Sequence, residues 1–522
     1  MGKIILNNIE YGIGISNGYN IDINNLVEKD NIVTTLDDTV TDEQIPSAKA
    51  VYDKLNGGTG GVGDVVIDTA SLSMGRKSDT TVGNLSTALG LNVTASGNYS
   101  HAEGYDTEAS GESSHAEGYD TTANKDYSHA EGQNTTASGI ASHAEGNSTI
   151  ANKEYSHAEG NSTKASGTDS HAEGFNTTAS GEDSHAEGSV TIASGIASHA
   201  EGYYTEASVQ YSHAEGYYTE ASAMSSHAEG DSTTASGIAS HTEGQNAKAS
   251  GIASHAEGYM TIASGNASHA EGYKTKAIGK YSHAGCFYTM ANQLQYAIGH
   301  HNADTTGGTT DTTDGSAFVI GNGTGDDASL RKNAFRVEYN GATYGAGAYN
   351  TSGADYAEYF EWIDGNVDNE DRRGLFVTLD GDKIKLANDG DYILGVVSSN
   401  PVVLGNSDME WQGRFLKDKF GSLRIEKQII KDVDEQGNEI EKEVEWYITN
   451  PEYDPNLEYV ERKDRQEWTP VGFMGQLVVI DDGTCVVNGY CKCGVNGVAT
   501  KADNDYRVMK RIDENTILVL IK

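Results

Sequence analysis

The histidine repeat is the feature that most constrains the fold of this chain. A histidine recurs at every fourteenth position from His101 to His283, fourteen times without a change of register. An alanine keeps the same period, from Ala109 to Ala291. Self-similarity of this kind marks a solenoid, in which each repeat buries its surface against its neighbours. Fourteen residues are too few for a pair of helices but suffice for two short strands and two turns. The repeat therefore predicts a stack of parallel β-coils.

The small residues of the repeat alternate with larger ones, as the inward face of a strand requires. Because successive side chains of a strand point to opposite faces, Ser100, Ala102 and Gly104 share one face. The small residues at 107, 109 and 111 form a second such face in the same repeat. Only such side chains fit inside a very narrow roll. With about 4.8 Å per coil, the thirteen intervals predict a shaft roughly 60 Å long.

The opposite face of the first strand carries His101 and Glu103, and both residue types recur in the following repeats. A narrow roll buries little surface by itself, and the association of three rolls would supply the missing burial. We therefore expect the histidines and glutamates to form stacked, hydrogen-bonded columns at or near a trimer interface. An ion-binding array is the less favoured interpretation of these columns. Catalysis is disfavoured because fourteen equivalent sites contradict a single active centre.

Aromatic residues occupy one turn of many repeats, where a side chain can reach solvent. Exposed aromatic columns can stack on sugar rings, which would suit a shaft that contacts a receptor, although covering the edge of the roll would explain them equally. The candidate glycan contacts are Tyr105, Tyr119, Tyr203, Tyr217, Tyr259 and Tyr273.

The alternating x-Ala-x-Gly units resemble the left-handed parallel β-roll head repeats of trimeric adhesins. That resemblance implies a trimeric, mainly β roll.

Preceding the repeat, residues 42–55 combine an acidic start, an early Pro46 and a Gly57-Gly58 stop, which predicts a short helix. Its apolar stripe suits a brief helical trimer seam. The helical segment also resembles a helix common near the N-termini of phage tail proteins, which implies that the residues before it dock onto a phage tail or baseplate.

The net charge of −41 excludes several partners. Nucleic-acid binding needs clustered Lys and Arg, so nucleic acid is not expected as a partner.

No run of 18 or more apolar residues exists, so no membrane insertion is expected. The N-terminus carries no secretory signal pattern, and the four cysteines are too few for a disulfide framework. Both observations favour synthesis in a host cytoplasm.

The composition changes after the repeat. Short strand signals within residues 304–350 predict a β-rich neck, and recurrent apolar alternation from Leu375 onward predicts a compact β-rich domain. The predicted organisation is an N-terminal attachment segment with a short trimeric helix at 1–62, a β-roll shaft at 63–303, the neck at 304–350 and the C-terminal domain at 351–522.

The C-terminal domain carries the acidic run Asp-Tyr-Ala-Glu-Tyr-Phe-Glu at 355–361, followed later by Asp-Asp-Gly-Thr-Cys at 481–485 and Gly-Tyr-Cys at 489–491. Together these resemble the autocleaving intramolecular-chaperone domain of phage tailspikes and neck appendages, a family classed among glutamic peptidases. The resemblance covers roughly residues 350–522. It implies that the domain directs trimerisation and then cuts the chain near its own N-terminus.

By that resemblance, Glu358 matches the catalytic carboxylate and Asp355 its acidic neighbour. The bond predicted to be cut is Ala354–Asp355, and Ser352 and Gly353 bound the less favoured alternatives. Two carboxyl groups three residues apart can divide the work, one protonating the amide while the other activates water. Crowding of like charges would raise one pKa and keep a proton available. The other interpretation of the acidic run is a solvated linker.

The sequence thus predicts a homotrimeric phage tail fibre or tailspike protein located in the virion tail, which contacts a host-surface glycan or protein. Its enzymatic activity would be a single self-cleavage, with no turnover on other substrates and no cofactor or metal. The alternative is a bacterial trimeric surface adhesin without proteolysis, which would need a signal peptide and an anchor. A glycan-degrading tailspike is disfavoured because the acids of the repeat are evenly spaced and equivalent.

Overall fold

A computed structural model of the chain describes residues 3–6, 9–12, 65–68, 71–77, 79–303, 315–407, 413–433 and 439–522. The predicted helix at 42–55 lies outside these residues. The described chain is mainly β, as predicted, and the helical element within those ranges is a short 3₁₀ turn at Arg462–Asp464. None of its helices has the length and apolar character needed to cross a bilayer. The chain divides into two compact units, Met1–Ala291 and Asn292–Lys522, which we describe separately.

The first unit begins with paired strands. Lys3–Leu6 pairs with Ile9–Gly12 in antiparallel fashion, and Val65–Asp68 pairs likewise with Ser71–Arg76. The strand Thr87–Ala95 then opens the solenoid, because its two ends pair in parallel with both strands of the first histidine coil. A coil therefore precedes the first histidine of the repeat.

Each histidine coil consists of a longer and a shorter strand. The longer strands are His101–Tyr105, His115–Tyr119, His129–Gln133, His143–Asn147, His157–Asn161, His171–Phe175, His185–Ser189, His199–Tyr203, His213–Tyr217, His227–Asp231, His241–Gln245, His255–Tyr259, His269–Tyr273 and His283–Ala284. The shorter strands are Glu108–Ala109, Thr122–Ala123, Thr136–Ala137, Ile150–Ala151, Lys164–Ala165, Thr178–Ala179, Ile192–Ala193, Glu206–Ala207, Glu220–Ala221, Thr234–Ala235, Lys248–Ala249, Ile262–Ala263, Lys276–Ala277 and Met290–Ala291. Equivalent residues of successive coils pair in parallel, for example His101 with His115.

The interior of the roll consists of small side chains, as the alternation predicts. Ser100, Ala102, Thr107 and Ala109 are each at most 2% exposed, and the equivalent residues of later coils are also buried. The hydroxyl of Ser100 donates a hydrogen bond to the carbonyl of Gly97 at 2.7 Å, which satisfies a buried polar group within the turn. The core is therefore narrow and built from alanine methyl groups, serine hydroxyls that bond within their turns, and threonines such as Thr107, whose hydroxyl has no hydrogen-bond partner among the described residues.

Both turns of a coil need unusual backbone conformations. Asp106 and Ser113 have φ values of 58° and 54°, and equivalent residues recur at seven-residue intervals along the roll. Gly104 has a φ of 120°, and a Cβ there would lie 2.0 Å from the carbonyl oxygen of Gly118. Only glycine tolerates this close approach of successive coils. The repeat therefore consists of two similar halves of seven residues, and each half ends in a residue with the left-handed backbone conformation.

The second unit begins with a small sheet at the predicted neck. Tyr296–His300 lies parallel to Ser316–Asn322, which pairs in antiparallel fashion with Asn333–Glu338, and Thr343–Gly345 follows on the outer edge. These strands contain the strand signals that the sequence shows at 318–323 and 333–337.

The rest of the second unit is a β-rich domain, as predicted. Its main sheet contains Asp355–Glu361, Phe376–Asp380, Lys383–Leu386, Gly395–Val397, Val403–Gly405, Trp468–Ile480, Tyr490–Cys493, Ala499–Ala502, Tyr506–Asp513 and Thr516–Ile521. A separate antiparallel pair is formed by Ile425–Val433 and Glu439–Tyr447. Phe376, Val479 and Ile517 are fully buried in one core cluster. At its edge, Arg511 binds the buried Asp481 carboxylate with two hydrogen bonds of 3.0 and 2.7 Å.

Candidate active site

The predicted cleavage segment leads directly into a sheet strand. Asp355–Glu361 pairs in antiparallel fashion with the long strand Trp468–Ile480 and in parallel with Val403–Gly405. Alternating residues of Asp355–Glu361 are buried, starting with Asp355 itself. The acidic run is therefore an ordered sheet strand with one face in the domain core, and the interpretation as a solvated linker is wrong for these residues.

The peptide bond predicted to be cut is held by backbone contacts on both sides. The carbonyl oxygen of Ala354 accepts a hydrogen bond from the backbone N–H of Gln476 at 3.1 Å. The carbonyl oxygen of Asp355 accepts one from the backbone N–H of Val402 at 2.7 Å. A donor on the Ala354 carbonyl oxygen polarises that carbonyl and would stabilise negative charge that develops on it during attack.

Gly475 makes this contact possible. It lies opposite Asp355 in the strand register and has a φ of 116°. A Cβ at this position would lie 2.2 Å from the carbonyl oxygen of Ala354. Gly472, on the same strand, likewise leaves room for the carboxyl group of Asp355, whose Oδ2 would lie 2.5 Å from an added Cβ. The two glycines let the strand approach the segment closely.

The carboxyl group of Asp355 is buried, with 4% of the residue exposed. Its Oδ2 atom has no hydrogen-bond partner among the described residues. Burial raises the pKa of this carboxyl group above its ordinary range, although a hydrogen bond from Ser398 acts in the opposite direction. Ser352, Ala354 and Asp355 line a cavity of about 390 Å³. A buried carboxyl group with a raised pKa and the predicted scissile bond therefore line the same cavity.

Glu358 lies on the other face of the same strand. Its carboxylate accepts a hydrogen bond from the Tyr356 hydroxyl at 2.8 Å, and it sits above Gly405, where an added Cβ would lie 2.9 Å from the Glu358 Cγ. Residues three apart on a strand point in opposite directions. Within one chain the structure therefore does not bring Glu358 and Asp355 together as the expected carboxyl pair.

The histidines and glutamates of the roll form what we call the histidine–glutamate ladder, which comprises the histidines from His101 to His283 and the glutamates two residues after them, from Glu103 to Glu271. From His115 to His269, successive imidazole rings stack at centroid distances of 4.6–4.8 Å. In this range most His–Glu separations are 3.5–4.0 Å, too long for good hydrogen bonds. The columns are stacked, as expected, but the histidines and glutamates of these coils are not hydrogen-bonded to each other, because ring stacking sets their geometry.

Contacts within the ladder also shift the pKa values of its side chains. Burial lowers the pKa of several imidazoles, and proximity to neighbouring histidines lowers it further; these are His115, His129, His157, His185, His227, His255 and His269. Hydrogen bonding to the glutamate of a neighbouring coil raises the pKa of the Glu145 and Glu257 carboxyl groups to about 7. Burial and neighbouring histidines thus favour the neutral imidazole at these seven positions, while the Glu145 and Glu257 carboxyl groups hold a proton more readily than an ordinary glutamate does.

The six candidate glycan-contact tyrosines lie on the outer surface in stacked pairs. Centroid distances are 5.1 Å for Tyr105–Tyr119, 5.3 Å for Tyr203–Tyr217 and 5.0 Å for Tyr259–Tyr273. All six are exposed. Tyr204 and Tyr218, which the sequence analysis did not single out, form a second stacked pair beside Tyr203 and Tyr217.

The cysteines of the C-terminal domain are buried free thiols. Burial raises the pKa of Cys485 and Cys491 to about 12 and that of Cys493 to about 11. Thiols of this kind are unreactive packing residues.

Sequence reasoning missed the residues that face the predicted cleavage bond from the opposite strand, namely Gly472, Gly475 and Gln476. One signal was available, because two glycines interrupt the otherwise apolar run at 471–480. Glycine inside a strand often marks a close approach of another backbone.

Comparison with known proteins defines the class of the C-terminal region. Residues 306–516 match the family model Peptidase_G2, described as an IMC autoproteolytic cleavage domain. The prediction of a self-cleaving domain is confirmed by this match.

The particular relatives include phage appendage proteins. The pre-neck appendage protein of Bacillus phage phi29 is 40% identical over 152 residues, which are 29% of this chain and 16% of that protein. The putative phage-related protein YobO of Bacillus subtilis (strain 168) is 39% identical over 169 residues, 32% of this chain and 20% of that protein. A crystal structure of the bacteriophage phi29 gene product 12 C-terminal fragment is 34% identical, with 32% of this chain and 100% of that one covered and a TM-score of 0.25. The predicted resemblance to phage appendages with an autocleaving domain is confirmed, while the match spans only about a sixth of the appendage protein's length.

Proposed function

We propose that this chain is a subunit of a homotrimeric phage tail or neck appendage, located in the virion, with the β-roll as its shaft. Its C-terminal domain promotes assembly and then cuts the chain once, between Ala354 and Asp355. The observation that carries this proposal is the Ala354 carbonyl, hydrogen-bonded to Gln476 beside the buried Asp355 carboxyl group.

The chemistry follows from the positions of three groups. Water attacks the Ala354 carbonyl carbon, and the Gln476 N–H stabilises the negative charge that develops on the carbonyl oxygen. The neutral Asp355 carboxyl donates its proton to the departing amide nitrogen, which is the backbone nitrogen of Asp355. A carboxylate must take the proton from water, and the glutamic-peptidase assignment gives that role to Glu358. The products are a carboxyl-terminated shaft and an amino-terminated domain.

Glu358 and Asp355 lie on opposite faces of one strand, so we infer that the two carboxyl groups act together across chains. The Glu358 that serves one chain would come from a neighbouring copy in the trimer. Cleavage would then wait for assembly, and it would occur once because the domain leaves its own substrate. No turnover on other substrates is expected from such a site.

Intact mass spectrometry of the freshly expressed chain tests the proposal. The expected products are residues 1–354 and 355–522. The variants Asp355→Asn and Glu358→Gln should each stay uncut, while Glu361→Gln, a change of a carboxylate on the same strand, should be cut normally. Cutting of the Glu358→Gln chain by itself would contradict the glutamic assignment.

Co-expression separates action between chains from action within one chain. If Glu358 acts in a neighbouring copy, Glu358→Gln chains should be cut when they assemble with Asp355→Asn chains, which supply the missing carboxylate. If mixed trimers form and both chains stay intact, the inferred action across chains is wrong.

We further propose that the tyrosine pairs contact a host-surface glycan. Their stacked, exposed rings offer flat apolar faces to sugar rings. The double variant Tyr203→Ala/Tyr217→Ala should bind host cells less than the parent, whereas Tyr211→Ala, which removes another exposed tyrosine, should bind normally. Equal binding by all three proteins would exclude this pair as a contact.

A further inference from the structure

The histidine–glutamate ladder leaves polar atoms without partners. The Nε2 atoms of the histidines between His115 and His269 are buried and lack a hydrogen bond in the described structure; they belong to His115, His129, His143, His157, His171, His185, His199, His213, His227, His241, His255 and His269. By contrast, at the ends of the ladder His101 bonds to Glu103 at 3.2 Å and His283 to Glu271 at 3.3 Å. Buried polar atoms are normally satisfied, so the central coils need a further partner.

The carboxylates beside these nitrogens define where that partner would sit. His213 Nε2 lies 3.6 Å from Glu201 and 3.9 Å from Glu215. His227 Nε2 lies 4.0 Å from Glu215 and 3.9 Å from Glu229. Imidazole nitrogens and carboxylate oxygens therefore alternate along the roll, each nitrogen flanked by carboxylates of two successive coils.

These separations are close to those between ligands of one metal ion. Bonds of about 2.0–2.2 Å from a tetrahedral Zn²⁺ to nitrogen or oxygen place two ligands about 3.3–3.6 Å apart. One ligand atom from each of His199, Glu201 and His213 lies within 4.8 Å of the others, and the same holds for His213, Glu215 and His227. Rotation of the two imidazoles out of their stack would direct both Nε2 lone pairs at one ion.

The glutamate side of the ladder has room for the water ligands of an ion. Gly202, Gly216 and Gly230 carry no side chain beside the carboxylates, and a groove of about 430 Å³ runs along Glu201 and Glu215. Mixed imidazole and carboxylate ligands suit divalent transition metals, whereas Mg²⁺ and Ca²⁺ prefer oxygen ligands alone.

We propose that the histidine–glutamate ladder binds divalent transition-metal ions between successive coils, each held by two histidine Nε2 atoms and the glutamate carboxylate between them. Water completes the coordination. Each Nε2 has one lone pair and binds one ion, so occupied intervals between coils alternate with empty ones, and the chain carries several such sites. The ion connects neighbouring coils, and it supplies the partner that the stacked imidazoles lack.

Equilibrium dialysis of the untagged full chain against Zn²⁺ after chelator treatment tests this proposal. The parent should retain more than one Zn²⁺ per chain in the presence of excess Mg²⁺. Glu201→Gln/Glu215→Gln should retain at least one ion fewer. The matched control Glu206→Gln/Glu220→Gln removes two exposed carboxylates from the other strand of the same coils and should retain as much as the parent. Far-UV circular dichroism would verify that each variant keeps its β structure.

A second measurement does not depend on the glutamate variants. Co²⁺ bound by imidazole and carboxylate in a low-symmetry site shows visible d–d absorption, and His213→Gln should weaken it because that substitution removes a ligand from one of the sites. No Zn²⁺ uptake by the parent would overturn the proposal and favour burial of the ladder by other chains. If the matched control lost as much bound Zn²⁺, or if Mg²⁺ displaced all of the Zn²⁺, the ladder would bind cations only as a nonspecific acidic surface does, and the proposal would be wrong.

Discussion

Gly475→Ala should stop self-cleavage while leaving most of the C-terminal domain folded. The added Cβ would lie 2.2 Å from the Ala354 carbonyl oxygen, well inside the ordinary contact distance. Either the Ala354 segment or the strand Trp468–Ile480 must move by more than about 1 Å, because carbon–oxygen contacts rarely fall much below 3.4 Å. The hydrogen bond from Gln476 to the Ala354 carbonyl would then be lost.

The magnitude follows from that lost contact. Removing one donor from a developing oxyanion typically slows a reaction about 10²–10³-fold. The φ of 116° at Gly475 adds a backbone cost of roughly 1–3 kcal/mol for alanine, which lowers the stability of the domain without unfolding it. The cut fraction of newly made chains should therefore rise at least about 100-fold more slowly than in the parent.

A time course of cell-free synthesis, sampled by intact mass, would measure that rate. Gly381→Ala is the matched control, because Gly381 also has a positive φ, 68°, while an added Cβ there meets nothing within 4 Å. The control should lose some stability but cut at the parental rate. If Gly475→Ala were cut as fast as Gly381→Ala, the proposed role of the Gln476 contact would be wrong.

Three further predictions concern stability. Ala207→Leu, which enlarges a fully buried position of the roll, should destabilise it by about 3 kcal/mol in urea unfolding followed by circular dichroism, whereas Glu206→Leu on the exposed face should change it little. Because burial raises the folded-state pKa of Asp355, its carboxyl stabilises the fold only while protonated, and this contribution fades as pH rises through that pKa. In a Glu358→Gln background, Asp355→Asn should therefore gain stability relative to its parent as pH rises above about 4, and an unchanged difference would refute the burial argument. Arg511→Met, which leaves a buried carboxylate unpaired, should cost about 3–5 kcal/mol in thermal unfolding, and a cost below about 1 kcal/mol would contradict the pairing.

The sequence predicted the roll well because its period and its alternation act together. Once the histidines fix fourteen residues per coil, the small residues at Ala102 and Ala109 must face inward, and the structure has them there. The packing of the outer face was harder to predict. Whether His115 would bond to Glu117 or stack on His129 depends on the rise per coil, which brings rings to 4.6 Å and leaves the carboxylate at 3.5 Å.

The candidate active site was predicted only in part. Asp355 and Glu358 came from a resemblance, and their opposite orientations follow once residues 355–361 are known to be a strand. The contact between Ala354 and Gln476 joins residues more than a hundred positions apart. Such a register depends on long-range pairing that no local pattern in the sequence reveals. Gly472 and Gly475 were the local sequence signal for this contact.

The in-register stacking of identical coils has a consequence for how such proteins diversify. Because every coil presents the same surface above and below, removal or duplication of one complete repeat leaves all remaining junctions unchanged. Recombination between repeats within the coding sequence can therefore lengthen or shorten the stack in steps of fourteen residues. Such changes alter the length of the roll and leave the autoproteolytic cleavage domain intact.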